Sequence, residues 1–101
     1  MAERRGARRA ELKSSCTFSL DGQQLPALII NLSDQGALLR FAAGADAAVT
    51  DADLGSDASL VLTMVTPHRL YTGEIIRRYF VDKTLHVVLR FWKKYREIPT
   101  T

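Results

Sequence analysis

The strictest constraint in this chain is a period of two. Residues 13–20, Lys-Ser-Ser-Cys-Thr-Phe-Ser-Leu, put Cys16, Phe18 and Leu20 on one face and Ser15, Thr17 and Ser19 on the other. Alternate residues share a face only in extended backbone, so this is a half-buried β-strand. Asp21-Gly22 follows and suits the two-residue turn of a hairpin. A second strand runs from about Gln24 to Ile30, with Pro26 marking an edge position or a bulge near its start. Further apolar runs span Ala37 to Phe41, residues 58–65, about Leu70 to Val81, and Leu85 to Phe91. The turn residues between them are Asn31 to Gly36, Thr66-Pro67-His68 and Asp82-Lys83. Six short strands without a helical repeat argue for an antiparallel barrel or sandwich, and the pattern alone leaves closure open.

Two segments depart from this rhythm. Residues 42–57 are alanine-rich, with Asp46, Asp51, Asp53 and Asp57, and with Gly44 and Gly55 as breakers. The acidic spacing of a calcium loop with its terminal Glu is absent, so the segment reads as a surface loop carrying a helical turn, with no metal. Residues 92–97, Trp-Lys-Lys-Tyr-Arg-Glu, fit either a short amphipathic helix or an extended tail. Trp92 and Tyr95 are expected to pack on the body of the fold.

The turn Asn31-Leu32-Ser33-Asp34-Gln35-Gly36 is chemically richer than the others. Asn31 and Ser33 can bond nearby backbone, and Gly36 supplies either a positive φ or room for a close approach. Alternation points Asn31 and Ser33 the same way, with Leu32 inward. Upstream, Arg4, Arg5, Arg8 and Arg9 place four guanidiniums within six residues, with no lysine among residues 3–9. As a helix these would repel in i,i+4 pairs with no apolar face in return. Residues 1–12 therefore read as a flexible basic arm, and residues 13–101 as a single domain.

An arginine cluster followed by Asn-x-Ser-x-x-Gly resembles the PilZ domain family of bacterial cyclic di-GMP receptors. The family pattern is Arg-x-x-x-Arg, then Asp/Asn-x-Ser-x-x-Gly after roughly twenty residues. Arg5 and Arg9 satisfy the first half, as do Arg4 and Arg8; Asn31, Ser33 and Gly36 satisfy the second. Counting back from Gly36 against the family spacing favours Arg5/Arg9, with Arg4 as a third contact. Residues 73–78 and 87–91 look like the family's last two strands. Many members carry Gly where Val88 stands, a departure expected to bear on packing more than on ligand. The resemblance implies a six-stranded antiparallel β-barrel. It also implies a ligand site of Arg4, Arg5, Arg8, Arg9, Asn31, Ser33 and Gly36, in which the turn reads guanine and the arm holds phosphate.

The residue chemistry permits that division. Arginine's planar fork can grip phosphate bidentately and its face can stack on a purine. Asn31 can both accept from and donate to a base edge, and Ser33 can do either. Arg77 and Arg78 fall on opposite faces of the fifth strand; each reads as a solvated surface charge, though one could border the site.

Composition narrows the alternatives. The 101 residues suffice for one modest core, and 47% hydrophobic with 25% charged content is ordinary for a globular domain. A net charge of +3 suits an anionic ligand better than a long nucleic acid. Cys16 is the sole cysteine, and no motif joins it to His68 or His86, so no enzyme chemistry is expected. No apolar run approaches the ~20 residues of a membrane span, and no signal peptide is evident, so the cytoplasm is the expected location. The expectation is a non-enzymatic receptor needing no cofactor, which binds cyclic di-GMP and relays to an effector protein. Its oligomeric state is not legible. One rival is a PilZ-like adaptor that binds only protein. Another is a small RNA- or single-strand-binding barrel using Tyr71, Tyr79 and Phe80 beside Arg77 and Arg78.

Overall fold

The computed structural model describes residues 14–42 and 48–99. Among these are seven strands: β1 (Ser14–Leu20), β2 (Gln23–Leu32), β3 (Gly36–Phe41), β4 (Asp57–Leu62), β5 (His68–Val81), β6 (Thr84–Phe91) and β7 (Arg96–Ile98). The sheet runs β4-β1-β2-β3-β6-β5, and β5 pairs back onto β4. The ring is therefore a closed six-stranded barrel, and every pairing in it is antiparallel. Closure removes the sheet edges that would otherwise invite association.

Alternation fills the interior. Phe18, Ile29, Leu39, Phe41, Leu60, Ile75, Leu85 and Leu89 are fully buried. Burial of such a side chain is worth about 1.5–3 kcal/mol, so this set dominates stability. Phe18 and Phe41 meet edge to face across the barrel at 5.2 Å. Val49, from the segment between β3 and β4, is also fully buried and plugs the core from outside the ring. Cys16 is buried, as its place on the apolar face of β1 requires, and burial pushes its thiol up to about 12.

The turns follow their residues. Asp21 and Gly22 both have positive φ (52° and 78°), which matches the right-handed twist of the hairpin they close. Asp82 and Lys83 adopt the same geometry without a glycine (φ 51° and 68°). Asp51–Asp53 forms a 3-10 turn, in which Asp53 Oδ2 accepts the Thr50 backbone N–H at 2.7 Å.

Some boundaries and side chains differ from expectation. The fourth strand stops at Leu62, short of residue 65, and Met64 beyond it is exposed. The C-terminal segment takes the extended option: no helix forms, and β7 pairs with residues 68–70 of β5. Tyr95 is held 5.2 Å from Tyr71, with the Arg69 guanidinium 4.4 Å over its ring. Trp92 packs only in part: it follows the end of β6 at Phe91, borders Leu20, Ala58 and Thr72, and is 51% exposed.

Two bulges break the period. Ile30 is extra in β2, so that Ile29 pairs Leu39 and Asn31 pairs Leu38. Ile76 is extra in β5, so that Ile75 pairs Leu89 and Arg77 pairs Val88. Each reverses the alternation from that point on.

Candidate functional site

The site is built on the outer face of β2, β3, β6 and β5. Directly opposed residues of antiparallel strands share a face, so the register defines rows running across the barrel wall. One row is Asn31–Leu38–Val88–Arg77. The next is Gly36–Arg90–Glu74. With strands about 4.8 Å apart, the first row spans about 14 Å from amide to guanidinium, with two apolar side chains between. Without the bulge at Ile30, Asn31 would follow Ile29 into the core two residues on; the bulge returns it to the outside.

These rows enclose an open hollow of about 380 Å³. Asn31, Ser33, Gln35 and Gly36 form one wall, Leu38 and Val88 the floor, and Ile76 and Arg90 the far side. Gly36 explains the depression: it presents no side chain between Ser33 and Arg90. Its backbone is not at positive φ, so of its two expected uses it serves close approach. A Cβ there would collide with the backbone carbonyl oxygen of Leu89. The approach it permits is that of β3 to β6, rather than of backbone to ligand.

The turn is tighter than expected. β2 continues through Leu32, and only Ser33, Asp34 and Gln35 lie outside strands. The Ser33 backbone N–H donates to Gly36 O at 2.9 Å, and the Gln35 N–H donates to Ser33 Oγ at 3.1 Å. Gln35 O in turn accepts the Phe91 N–H at 2.8 Å, pinning the turn to the end of β6. Ser33 thus fastens the turn it was expected to use for ligand. Asn31 is exposed, and among the described residues its side chain has no hydrogen-bond partner.

Asn31, Ser33 and Gly36 are therefore brought together. Arg4, Arg5, Arg8 and Arg9 lie outside the described residues. Arg90, Leu38, Val88 and Ile76 belong to the hollow but are not among the sequence-derived site residues. The signal was present for two of them: Leu38 and Val88 are apolar at outward positions of neighbouring strands. Val88 accordingly faces the hollow, not the packing it was expected to affect.

The charges divide sharply. The Arg90 guanidinium donates to Glu74 Oε2 through Nε at 3.2 Å and also through Nη2, and among the described residues Nη1 has no partner. Arg77 is exposed and lies over Tyr79 at 4.8 Å, and Tyr79 stacks on His86 at 5.3 Å. Arg78 is not the solvated charge its sequence suggests. Its side chain is 15% exposed, and its Nη1 pairs with Asp51 Oδ1 at 2.9 Å, tying the 3-10 turn to β5. Tyr71 is buried against Phe91, so the aromatic–basic surface of an RNA-binding barrel shrinks to Tyr79 and Phe80. Among the described residues, no group of three His, Cys, Asp or Glu side chains is placed to hold a metal ion. No helix among them is long and apolar enough to cross a membrane.

Comparison with known proteins bears on this geometry. The family model of the PilZ domain matches residues 3–97. Among solved structures, the chain is similar to the Bacillus subtilis inhibitor of motility (MotI/DgrA), with a TM-score of 0.62 at 12% identity. That similarity covers 93% of this chain and 44% of the Bacillus protein, so the chain spans less than half of that protein's length. At such identity the likeness speaks for the fold. Among curated proteins, none matches the chain.

Proposed function

The chain belongs to the PilZ domain family, and from that premise we propose that it is a cyclic di-GMP receptor that leaves its ligand chemically unchanged and relays the signal to a protein partner. The observation that carries this reading is the hollow beside Asn31, Ser33 and Gly36, with its apolar floor of Leu38 and Val88. A guanine can lie on that floor while Asn31 exchanges hydrogen bonds with its edge. Arg5 and Arg9, with Arg4 and Arg8 beside them in sequence, supply the forks that a phosphate diester needs. The partner and output are those of a bacterial signalling domain: motility, biofilm or polysaccharide production, in the cytoplasm. The similar Bacillus structure is that of an inhibitor of motility, which favours the first.

Calorimetric titration with cyclic di-GMP, set against a mixed-sequence oligonucleotide, tests the proposal. Saturable binding of the dinucleotide alone is expected. Arg5→Ala and Arg9→Ala should each weaken it by about 1.5–3 kcal/mol, the range for hydrogen bonds to charged groups. Amide exchange across residues 3–10 should slow on ligand addition. Binding of the oligonucleotide but not the dinucleotide would overturn the reading.

A further inference from the structure

The first hollow is small for its proposed occupant. Small-molecule sites span about 300–1,000 Å³, and about 380 Å³ lies near the bottom of that range. A molecule with two guanines and two phosphates extends beyond it. A second hollow, of about 600 Å³, lies on the other side of Arg90. The two share Gln35 and Arg90 in their linings, so they adjoin across that guanidinium. The second is lined further by Asp34, Trp92, Lys93 and Lys94.

These residues form a matched set. Trp92 offers an aromatic face that the core does not use, being 51% exposed. Its backbone is anchored, because its N–H donates to Thr72 O at 3.1 Å. Such a ring can stack on the face of any base. Asp34 is an acceptor-only group, complementary to the paired N1–H and N2–H donors of guanine and repulsive to phosphate. Lys93 and Lys94, with the Arg90 guanidinium beside them, provide positive charge for a diester. A purely basic patch would suit any polyanion; one carboxylate and one indole among the cations favour a guanine nucleotide.

We propose that the ligand's footprint crosses Arg90 into this second hollow, where Trp92 stacks on the second guanine, Asp34 reads its edge, and Lys93 and Lys94 meet phosphate. The inference rests on the proposed function, since it concerns the far half of the same ligand. Its test separates the two. Trp92 is the only tryptophan; it also borders a hollow beside Leu20, Ala58 and Thr72, so a change in its emission is assigned to the second hollow where the double variant Lys93→Ala/Lys94→Ala shifts it. Adding cyclic di-GMP should quench that emission with a midpoint equal to the calorimetric Kd. The double variant Lys93→Ala/Lys94→Ala should bind at least tenfold more weakly with an unchanged melting temperature, and Trp92→Phe should retain more affinity than Trp92→Ala. If the wild type binds by calorimetry while the lysine double variant binds equally well, the second hollow is not used, and the proposed function stands without it. If the wild type shows no binding of cyclic di-GMP, both fall.

Discussion

Gly36→Ala tests whether the glycine of the motif serves the fold before it serves a ligand. The added Cβ would meet the Leu89 carbonyl oxygen, which belongs to the paired backbone of β6 and cannot rotate away. β3 and β6 must therefore separate at the Gly36–Arg90 pair. Overpacking of this kind costs about 1–3 kcal/mol. Separation also endangers the Phe91 N–H bond to Gln35 O and the Ser33 N–H bond to Gly36 O, and losing one adds about 0.5–1.5 kcal/mol. Restricting the unfolded chain returns about 0.4–1 kcal/mol. The net is a loss of roughly 1–4 kcal/mol, or a fall in Tm of order 10 °C for a domain of this size. Gly22→Ala is the control: its site is open, and only its φ of +78° penalises alanine, by about 1–2 kcal/mol. The assay is thermal denaturation without ligand. A Gly36→Ala melt within a degree or two of wild type would show that β6 yields freely, and would return the glycine to a purely ligand-facing role.

Asn31→Ala should leave Tm unchanged, whereas Ser33→Ala should lower stability by about 0.5–1.5 kcal/mol by removing the acceptor of the Gln35 N–H; both should weaken cyclic di-GMP binding, and equal melts for the two would refute the turn-fastening role of Ser33. Lys83→Gly relieves a φ of +68° and should raise stability by about 0.5–1 kcal/mol after glycine's entropic cost; a lower Tm would count against strain at that turn. Cys16, pushed up by burial to about 12 from 9.0, stays a neutral thiol in the fold. Folded protein should therefore resist alkylation at pH 8. The unfolded thiol ionises first, so this group's contribution to stability is intact below pH 9 and is lost as pH rises from about 9 toward 12. Rapid labelling of native protein would contradict its burial.

What was legible in the sequence was the alternation, and it carried most of the fold. β1, β3 and β6 lie within a residue of their expected limits because each keeps one phase from end to end. Closure was not legible, since it depends on β1 meeting β4 and β3 meeting β6 from far apart in the sequence, and leaves no mark in any of these strands. The bulges were hidden for a related reason. Ile30 and Ile76 are each the second of two adjacent isoleucines, and an apolar pair conceals a phase change that a polar residue would have exposed. Asn31 looked like the start of a turn because it is polar after an apolar run. It is the last outward residue, and the last residue but one, of a strand whose phase has just reversed. Arg90 escaped notice because its neighbour across the sheet is a glycine, and the sequence gives no sign of what that absent side chain leaves open.

The two bulges also account for where the site lies. A closed barrel with strict alternation presents an outer wall of evenly spaced side chains, with no reason for a depression at one place. Here both extra residues fall at the same level, since Asn31 and Arg77 end up at opposite ends of one row through Leu38 and Val88. Each bulge turns a polar side chain outward two residues after a core residue, Ile29 or Ile75, so polar reach is gained without interrupting the buried layer. The extra isoleucine of β5 stands at the rim, 45% exposed. The bare backbone of Gly36 lowers the neighbouring row at one end, while Glu74 holds Arg90 upright at the other. The hollow is thus the joint product of two insertions in phase and one missing side chain. The same residues that deepen it leave Leu39, Leu89 and Ile75 fully buried beneath, so outward side chains such as Asn31 can change without disturbing the core, whereas Gly36 cannot.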